Sequence, residues 1–275
     1  MTSEADAPTA AVSSLTTSLG QVLPNVDKAE IWVDAQSAVG DAVDKIIDMP
    51  NEPPSLYIDL EGTNLSRDGT LSIMQVFVDP LKSTYLFDIY TLKSAVFTTR
   101  GPKSNRSLQD VLESEVIRKV FFDVRNDSDA LFSHHGIQLR GIADLQLMEL
   151  AARPQDRRLL SGLAKCIKKD LGLSVAEKEA WARGKARGLA LFAPERGGSY
   201  QAFDQRPLAP EMMEYCVADV TFLPRLWEVY ERRLTAVWRP KLQRATEARV
   251  RESQSATYKP HGREKALAPR TLVWL

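Results

Sequence analysis

Cysteine and histidine are scarce in this sequence, and the scarcity excludes several classes of site. The chain of 275 residues has two cysteines, Cys166 and Cys216, and three histidines. Two cysteines cannot form a disulfide framework, and because they do not make a Cys-x-x-Cys pair, we do not expect a zinc site. Their low number favours a reducing compartment, so we expect the cytoplasm or the nucleus.

Long apolar runs, targeting signals and an excess of charge are also missing. Because no run of 18 apolar residues exists, the sequence predicts no membrane span. The first 28 residues contain no arginine and carry Glu4 and Asp6, which argues against a signal or transit peptide. Lysine plus arginine totals 36, as does aspartate plus glutamate. A nucleic-acid partner would therefore have to be bound by local basic patches.

The pattern of apolar residues predicts one main domain with an extension at each end. Residues 1–25 are rich in Ala, Ser and Thr and are expected to be mostly disordered. Strand signals at 56–60, 71–78 and 84–88 predict a β-meander, after which helices alternate with short strands. We expect an α/β fold over residues 28–238, with a mixed central sheet flanked by helices. Residues 239–275 are expected to form a basic C-terminal extension.

Two acidic pairs suggest a metal site. Asp59 and Glu61 lie two residues apart in an apolar strand, so their side chains project from the same face. Tyr215 and Asp219 lie four residues apart in a helix pattern, so they also share a face. Carboxylates in an apolar strand are costly unless a partner binds them, and a divalent cation is the usual partner. This arrangement suits metal-dependent phosphoryl transfer.

A third acidic segment lies between the two pairs, at residues 122–132. It offers three candidate ligands, Asp123, Asp127 and Asp129. We select Asp129, because it lies beside Leu131 and Phe132 within the predicted helix. Asp127 is explained by the preference of a carboxylate for the positive N-terminal end of a helix.

Together these motifs resemble the DEDDy superfamily of exonucleases. The motifs are Asp-x-Glu on a strand, an acid at the start of a later helix, and Tyr-x-x-x-Asp on the last helix. The segments 56–62, 85–89 and 215–220 are similar to ribonuclease D, Werner-type exonuclease domains and Egalitarian-like proteins. The likeness covers about residues 28 to 235. It implies a ribonuclease H-like fold and hydrolysis from a 3′ end with two Mg²⁺ or Mn²⁺ ions.

The resemblance also implies a role for each motif residue. Asp59, Glu61 and Asp219 would hold one cation, and Asp59 would reach a second one together with Asp129. Tyr215 would orient the attacking water. The related DEDDh class has a histidine five residues before the last acid, where this chain has Glu214. The tyrosine class is therefore the better match.

Substrate contacts are expected at two further places. Gly62, Thr63 and Asn126 adjoin the motifs, and the resemblance places the Gly62 segment near the terminal nucleotide. A long loop is predicted over residues 184–208. Lys185 and other basic side chains of this loop, together with Arg183 just before it, are candidates for binding backbone phosphates. A solvated loop without a ligand is the alternative.

The C-terminal extension leaves two interpretations open. Residues 239–270 contain nine basic and three acidic residues, an excess of six positive charges. These charges favour contact with a polyanion. Alternatively, the extension packs on the domain through the four apolar residues Val250, Leu267, Leu272 and Trp274.

The sequence as a whole predicts a metal-dependent 3′–5′ exonuclease acting on RNA or single-stranded DNA. The alternative is a catalytically silent nucleic-acid-binding adaptor on the same fold. A purely structural domain would leave the acidic strand unexplained.

Overall fold

A mixed six-stranded sheet forms the centre of the structure. The computed structural model describes residues 29–273, so the predicted disordered segment 1–25 lies outside the described residues. The strands are β1 (Ala29–Val33), β2 (Leu56–Glu61), β3 (Ile73–Val78), β4 (Ser83–Asp88), β5 (Lys119–Phe121) and β6 (Ile142–Asp144). Their order is β1-β4-β3-β2-β5-β6. Only β3 runs opposite to the other strands. This architecture is the predicted α/β fold, a mixed central sheet flanked by helices, as expected for a ribonuclease H-like fold.

Helices cover both faces of this sheet. They are α1 (Gln36–Ile46), α2 (Ile89–Leu92), α3 (Ala95–Thr98), α4 (Leu108–Leu112), α5 (Arg125–His135), α6 (Leu145–Ala152), α7 (Leu163–Asp170), α8 (Val175–Phe192), α9 (Pro210–Thr221), α10 (Leu223–Arg233), α11 (Trp238–Ser253) and α12 (Arg270–Val273). One apolar cluster joins the sheet to α1, α3, α4 and α5. Two others join its opposite face to α6, α7, α9, α10 and α11.

Alternation along β2 decides which of its side chains meet each layer. Ile58 and Leu60 belong to the cluster with α1 and α5, whereas Tyr57 belongs to the opposite cluster. Because side chains alternate along a strand, Asp59 and Glu61 point to the same side as Tyr57, toward α9. The predicted acidic pair thus faces the last long helices of the domain.

The predicted loop over residues 184–208 is wrong in its first part. Helix α8 continues to Phe192, and its start is capped by Ser174 and Glu177, which form a capping box. Gly184 and Gly188 suggested a loop, yet both are buried within this helix. A Cβ on Gly188 would lie 2.6 Å from the ring of Tyr215, so close packing against α9 explains this glycine better than a turn does.

The C-terminal extension packs against the domain. Helix α11 lies on α5, α6 and β6. Val250 and Leu272 are buried as predicted, whereas Leu267 is exposed and Trp274 lies outside the described residues. Arg249 forms a 2.7 Å ion pair with the buried Asp144. Among the described residues, none of the helices has the length and apolar character that crossing a membrane requires.

Candidate active site

Three carboxylates converge where β2 meets α9. Helix α9 packs across β2 and β3 and presents Tyr215 and Asp219 from successive turns. Ligand oxygens of Asp59, Glu61 and Asp219 all lie within 4.8 Å of one another. The strand and the helix that were predicted to carry the acids therefore bring them together, although about 160 residues separate Asp59 from Asp219 in the sequence.

Asp127 adds a fourth carboxylate to this site. Its side chain, 5% exposed, lies in the first turn of α5. Burial raises the pKa of Asp127 well above its ordinary value, and the negative charge of Asp59 raises it further. The charge of Asp127 in turn adds to the rise in the pKa of Glu61. Asp127 is thus an electrostatic neighbour of the two β2 acids.

The prediction that Asp129 joins the cluster disagrees with its position in the structure. Both carboxylate oxygens of Asp129 are bound by Arg67, one through the backbone N–H and the other through Nε, each at 2.8 Å. Ser133 donates a further hydrogen bond to this carboxylate. Asp129 is fully buried and already paired, so it anchors the loop after β2 to α5.

Helical spacing in the sequence could have identified Asp127. Residues three and four apart share a helix face, whereas adjacent residues do not. Asp127 shares its face with Ala130 and Leu131, both fully buried in the domain core. Asp129 shares its face with Phe132, which is only half-buried, so the same spacing favours Asp127 over Asp129.

Crowding of the carboxylates shifts their protonation. Asp59 and Glu61 are half-buried, but the surrounding protein atoms remove much of their hydration. Burial first, and then the charge of Asp219, raises the pKa of Asp59 to about 8. Burial and the charges of Asp59 and Asp219 raise the pKa of Glu61 well above its ordinary value. Burial is the larger cause of both shifts, and like charges at close range add to it, because each carboxylate disfavours ionisation of the next.

This set of residues fits a divalent cation. Its ligand atoms are all carboxylate oxygens, the donors that Mg²⁺ and Mn²⁺ prefer. Removing the mutual repulsion needs positive charge at the centre of the cluster, which a bound cation supplies. A second group, Glu149, Cys166 and Asp170, fits poorly, because Arg153 pairs with Glu149 and Arg233 pairs with Asp170.

Tyr215 lies between the acidic cluster and a group of packed aromatic side chains. Its ring meets Phe192 edge-on with centroids 4.8 Å apart, and Phe203 is 6.5 Å away. Burial and the charges of Asp219, Glu61 and Asp59 raise the pKa of the Tyr215 hydroxyl. The hydroxyl therefore stays protonated at neutral pH and can donate a hydrogen bond.

Comparison with known families accounts for this combination of residues. A family model described as 3′-5′ exonuclease matches residues 31–235. The chain belongs to the 3′-5′ exonuclease family. The match spans all three acidic motifs and ends near the C-terminus of α10, so α11 and α12 lie beyond the matched residues.

Solved structures share the fold of this exonuclease domain. Trypanosoma brucei RNase D in complex with RNA U12 has a TM-score of 0.70 at 22% identity, covering 90% of this chain and 78% of that chain. Escherichia coli RNase D, described as an exoribonuclease, has a TM-score of 0.57 at 17% identity and covers 82% of this chain and 51% of that chain. Brucella melitensis NrnC with bound Mg²⁺ has a TM-score of 0.56 at 17% identity, covering 86% of this chain and 98% of that chain.

One curated protein also matches part of this chain. The piRNA biogenesis protein EXD1 of Bombyx mori is 24% identical over 131 residues. The match covers 46% of this chain and 39% of that protein, so less than half of each is compared.

The predicted substrate contacts of the exonuclease domain divide into two groups. The Thr63 hydroxyl already donates a shared hydrogen bond to the carbonyl oxygen of Tyr200 and to a carboxylate oxygen of Asp204, each at 3.0 Å. A Cβ on Gly62 would lie 2.2 Å from the Thr70 carbonyl oxygen, so a close backbone approach requires this glycine. Both residues thus stabilise the loop after β2. Substrate binding by them stays a prediction.

Asn126, Arg183 and Lys185 lie on helices, and of these three only Lys185 falls within the predicted loop 184–208. Asn126 precedes Asp127 in α5, half-buried, and its Oδ1 accepts a 2.8 Å hydrogen bond from Tyr258. Arg183 is exposed on α8 and forms a 3.5 Å pair with Glu179. Lys185 alone of these three reaches the acidic cluster, where its Nζ lies 2.6 Å from both oxygens of Asp219.

Proposed function

We propose that this protein is a metal-dependent 3′–5′ exonuclease that hydrolyses the phosphodiester bonds of RNA or single-stranded DNA. The observation that carries the proposal is the convergence of Asp59, Glu61 and Asp219 from β2 and α9, with Tyr215 one helical turn before Asp219. Asp127 of α5 is an electrostatic neighbour of this group. Membership of the 3′-5′ exonuclease family supports the same reaction.

The cofactor in this proposal is a pair of Mg²⁺ or Mn²⁺ ions. Asp59, Glu61 and Asp219 form one ligand set, and Asp59 together with Asp127 forms the other. Asp127 takes the place first given to Asp129, because the Asp129 carboxylate is bound by Arg67. Bound cations of this kind lower the pKa of a water and neutralise charge on a phosphate.

The remaining residues of the site position the substrate and the water. Tyr215 keeps its proton, so its hydroxyl orients the attacking water by hydrogen bonding rather than removing a proton from it. The aromatic packing of Phe192 and Gly188 against Tyr215 limits the directions that this hydroxyl can take. Lys185 lies at the edge of the cluster, where its ammonium can bind phosphate oxygens. Asn126, next to Asp127 in the sequence, offers an amide for the same purpose.

RNA is the substrate we favour. Two structures with this fold are described by their RNA: the Trypanosoma brucei enzyme in complex with RNA U12, and the Escherichia coli enzyme acting on structured RNA. Single-stranded DNA has the same backbone phosphates and differs in the 2′-hydroxyl, so it belongs in every assay.

Release of mononucleotides tests the proposal directly. RNA and single-stranded DNA, labelled at the 3′ or at the 5′ end, are incubated with Mg²⁺, Mn²⁺ or EDTA. We expect early release of the 3′ label as a mononucleotide, gradual shortening of the 5′-labelled chain, and no reaction in EDTA. Asp219→Asn should be inactive while its circular dichroism spectrum shows a retained fold. Binding of RNA without any cleavage by the wild-type protein would instead favour the silent adaptor.

A further inference from the structure

The side chain of Lys185 enters the acidic cluster from outside the motifs that define it. It extends from α8, which belongs to none of the elements that carry the acids. Its Nζ donates hydrogen bonds of 2.6 Å to both Oδ1 and Oδ2 of Asp219. The side chain is 14% exposed, so this contact is largely shielded from solvent.

The ammonium group also contacts Tyr215 and acts on the other acids. Its Nζ lies 3.2 Å from the centroid of the Tyr215 ring, a close cation–π contact. Its positive charge opposes the rise in the pKa of Asp59 and of Glu61. Lys185 therefore partly neutralises the cluster: its ammonium pairs directly with Asp219, and its charge also acts on Asp59 and Glu61.

In this position the ammonium competes with a divalent cation for the same carboxylate. Both oxygens of Asp219 are already hydrogen-bonded to the ammonium. A Mg²⁺ or Mn²⁺ ligated by one of them at about 2.1 Å would lie close to Nζ, and at that separation the two positive charges repel strongly. The lysine stem has four rotatable bonds, so the ammonium can withdraw without movement of α8.

We propose that Lys185 and a divalent cation exchange at Asp219, and that the displaced ammonium then binds a phosphate of the nucleic acid. The proposal rests on the proposed function, since it assigns the cation to the same acids. In the metal-free protein the lysine neutralises the cluster. In the loaded protein the cation does so, and the lysine contributes to substrate affinity.

Metal binding without nucleic acid tests the first half. Calorimetric titration with Mn²⁺ is carried out on the wild type, on Lys185→Met, which keeps the length but loses the charge, and on Lys185→Arg, which keeps the charge. We expect Lys185→Met to bind Mn²⁺ about tenfold more tightly, equivalent to about 1.4 kcal/mol. Lys185→Arg should return the affinity toward the wild-type value. Lys178→Met, an exposed change on the same helix, is the matched control and should leave the affinity unchanged.

Affinity for substrate tests the second half. At saturating Mn²⁺ we expect the KM of Lys185→Met for a short RNA to rise about tenfold, while Mn²⁺ binding is tighter. Opposite changes in the two affinities are not produced by a general loss of structure. An unchanged or weaker Mn²⁺ affinity in Lys185→Met would overturn the exchange, and an unchanged KM would overturn the role in substrate binding. If Mn²⁺ bound the wild type and every variant equally, only the exchange would fall; if it bound none of them, the proposed function would fall as well.

Discussion

Tyr258 donates a 2.8 Å hydrogen bond to Oδ1 of Asn126, the residue that precedes Asp127 in α5. The segment beyond the exonuclease family match therefore reaches the helix that carries the fourth acid. Arg67 connects the same region, because its guanidinium binds Asp129 and donates to the carbonyl oxygens of Ser253 and Ser255. Through these contacts the C-terminal extension packs against the exonuclease fold and supports the site.

The buried ion pair of the extension gives the first prediction. Arg249→Ala leaves the Asp144 carboxylate buried without its cation, so we expect the free energy of unfolding to fall by about 3–5 kcal/mol. Arg244→Ala, on the exposed side of the same helix, should change it by less than about 0.5 kcal/mol. Urea unfolding of the two variants measures the difference. Equal stability of both would show that the extension does not brace the domain.

Two aspartates of α5 provide a matched pair of variants. Asp127→Asn relieves repulsion in the cluster but removes a proposed metal ligand, so we expect hydrolysis to be lost while the fold is retained. Asp129→Asn disrupts the buried pair with Arg67, so we expect a lower melting temperature with activity surviving at low temperature. Thermal unfolding and RNA hydrolysis are measured on both. The reverse result, activity lost only in Asp129→Asn, would restore Asp129 as the ligand.

The hydroxyl of Tyr215 is expected to act in the chemical step. Tyr215→Phe keeps the ring against Phe192 and removes only the hydroxyl. We expect kcat to fall by about 10²–10³, the range for a positioned orienting or proton-handling group. Mn²⁺ affinity, measured by calorimetry, should barely change. Full activity of the variant would mean that the tyrosine serves packing alone.

The raised pKa of Asp59, about 8, predicts how stability depends on pH in EDTA. A carboxyl with a raised pKa binds a proton in the folded protein that the unfolded chain releases above pH 4 or so. The folded state then holds more protons, so its stability declines as pH rises from about 4 through about 8.

Asp59→Asn isolates this contribution. The amide cannot ionise, so the variant should gain stability relative to the wild type as pH increases, as measured by urea unfolding at pH 5 and pH 8.5. Because a metal ligand must lose its proton, the apparent Mn²⁺ affinity of the wild type should increase over the same interval. A stability difference that does not change with pH would contradict the shared origin of both effects.

Short-range periodicity in the sequence determined much of the fold and the main axis of the site. Alternation in 56–61 places Asp59 and Glu61 on one face, and four-residue spacing places Tyr215 and Asp219 together, as the structure has them. Both follow from local backbone geometry, which the order of residues specifies. The strands of the meander follow for the same reason.

Other features were decided by packing between segments far apart in the chain. Asp129 belongs to Arg67 and not to the cluster because the loop after β2 folds onto α5. Lys185 reaches Asp219 because α8 continues past two glycines, one of which is needed where α9 brings Tyr215 within contact. No local pattern encodes such contacts, since their free energy comes from burial and ion pairing between elements that only the folded chain brings together.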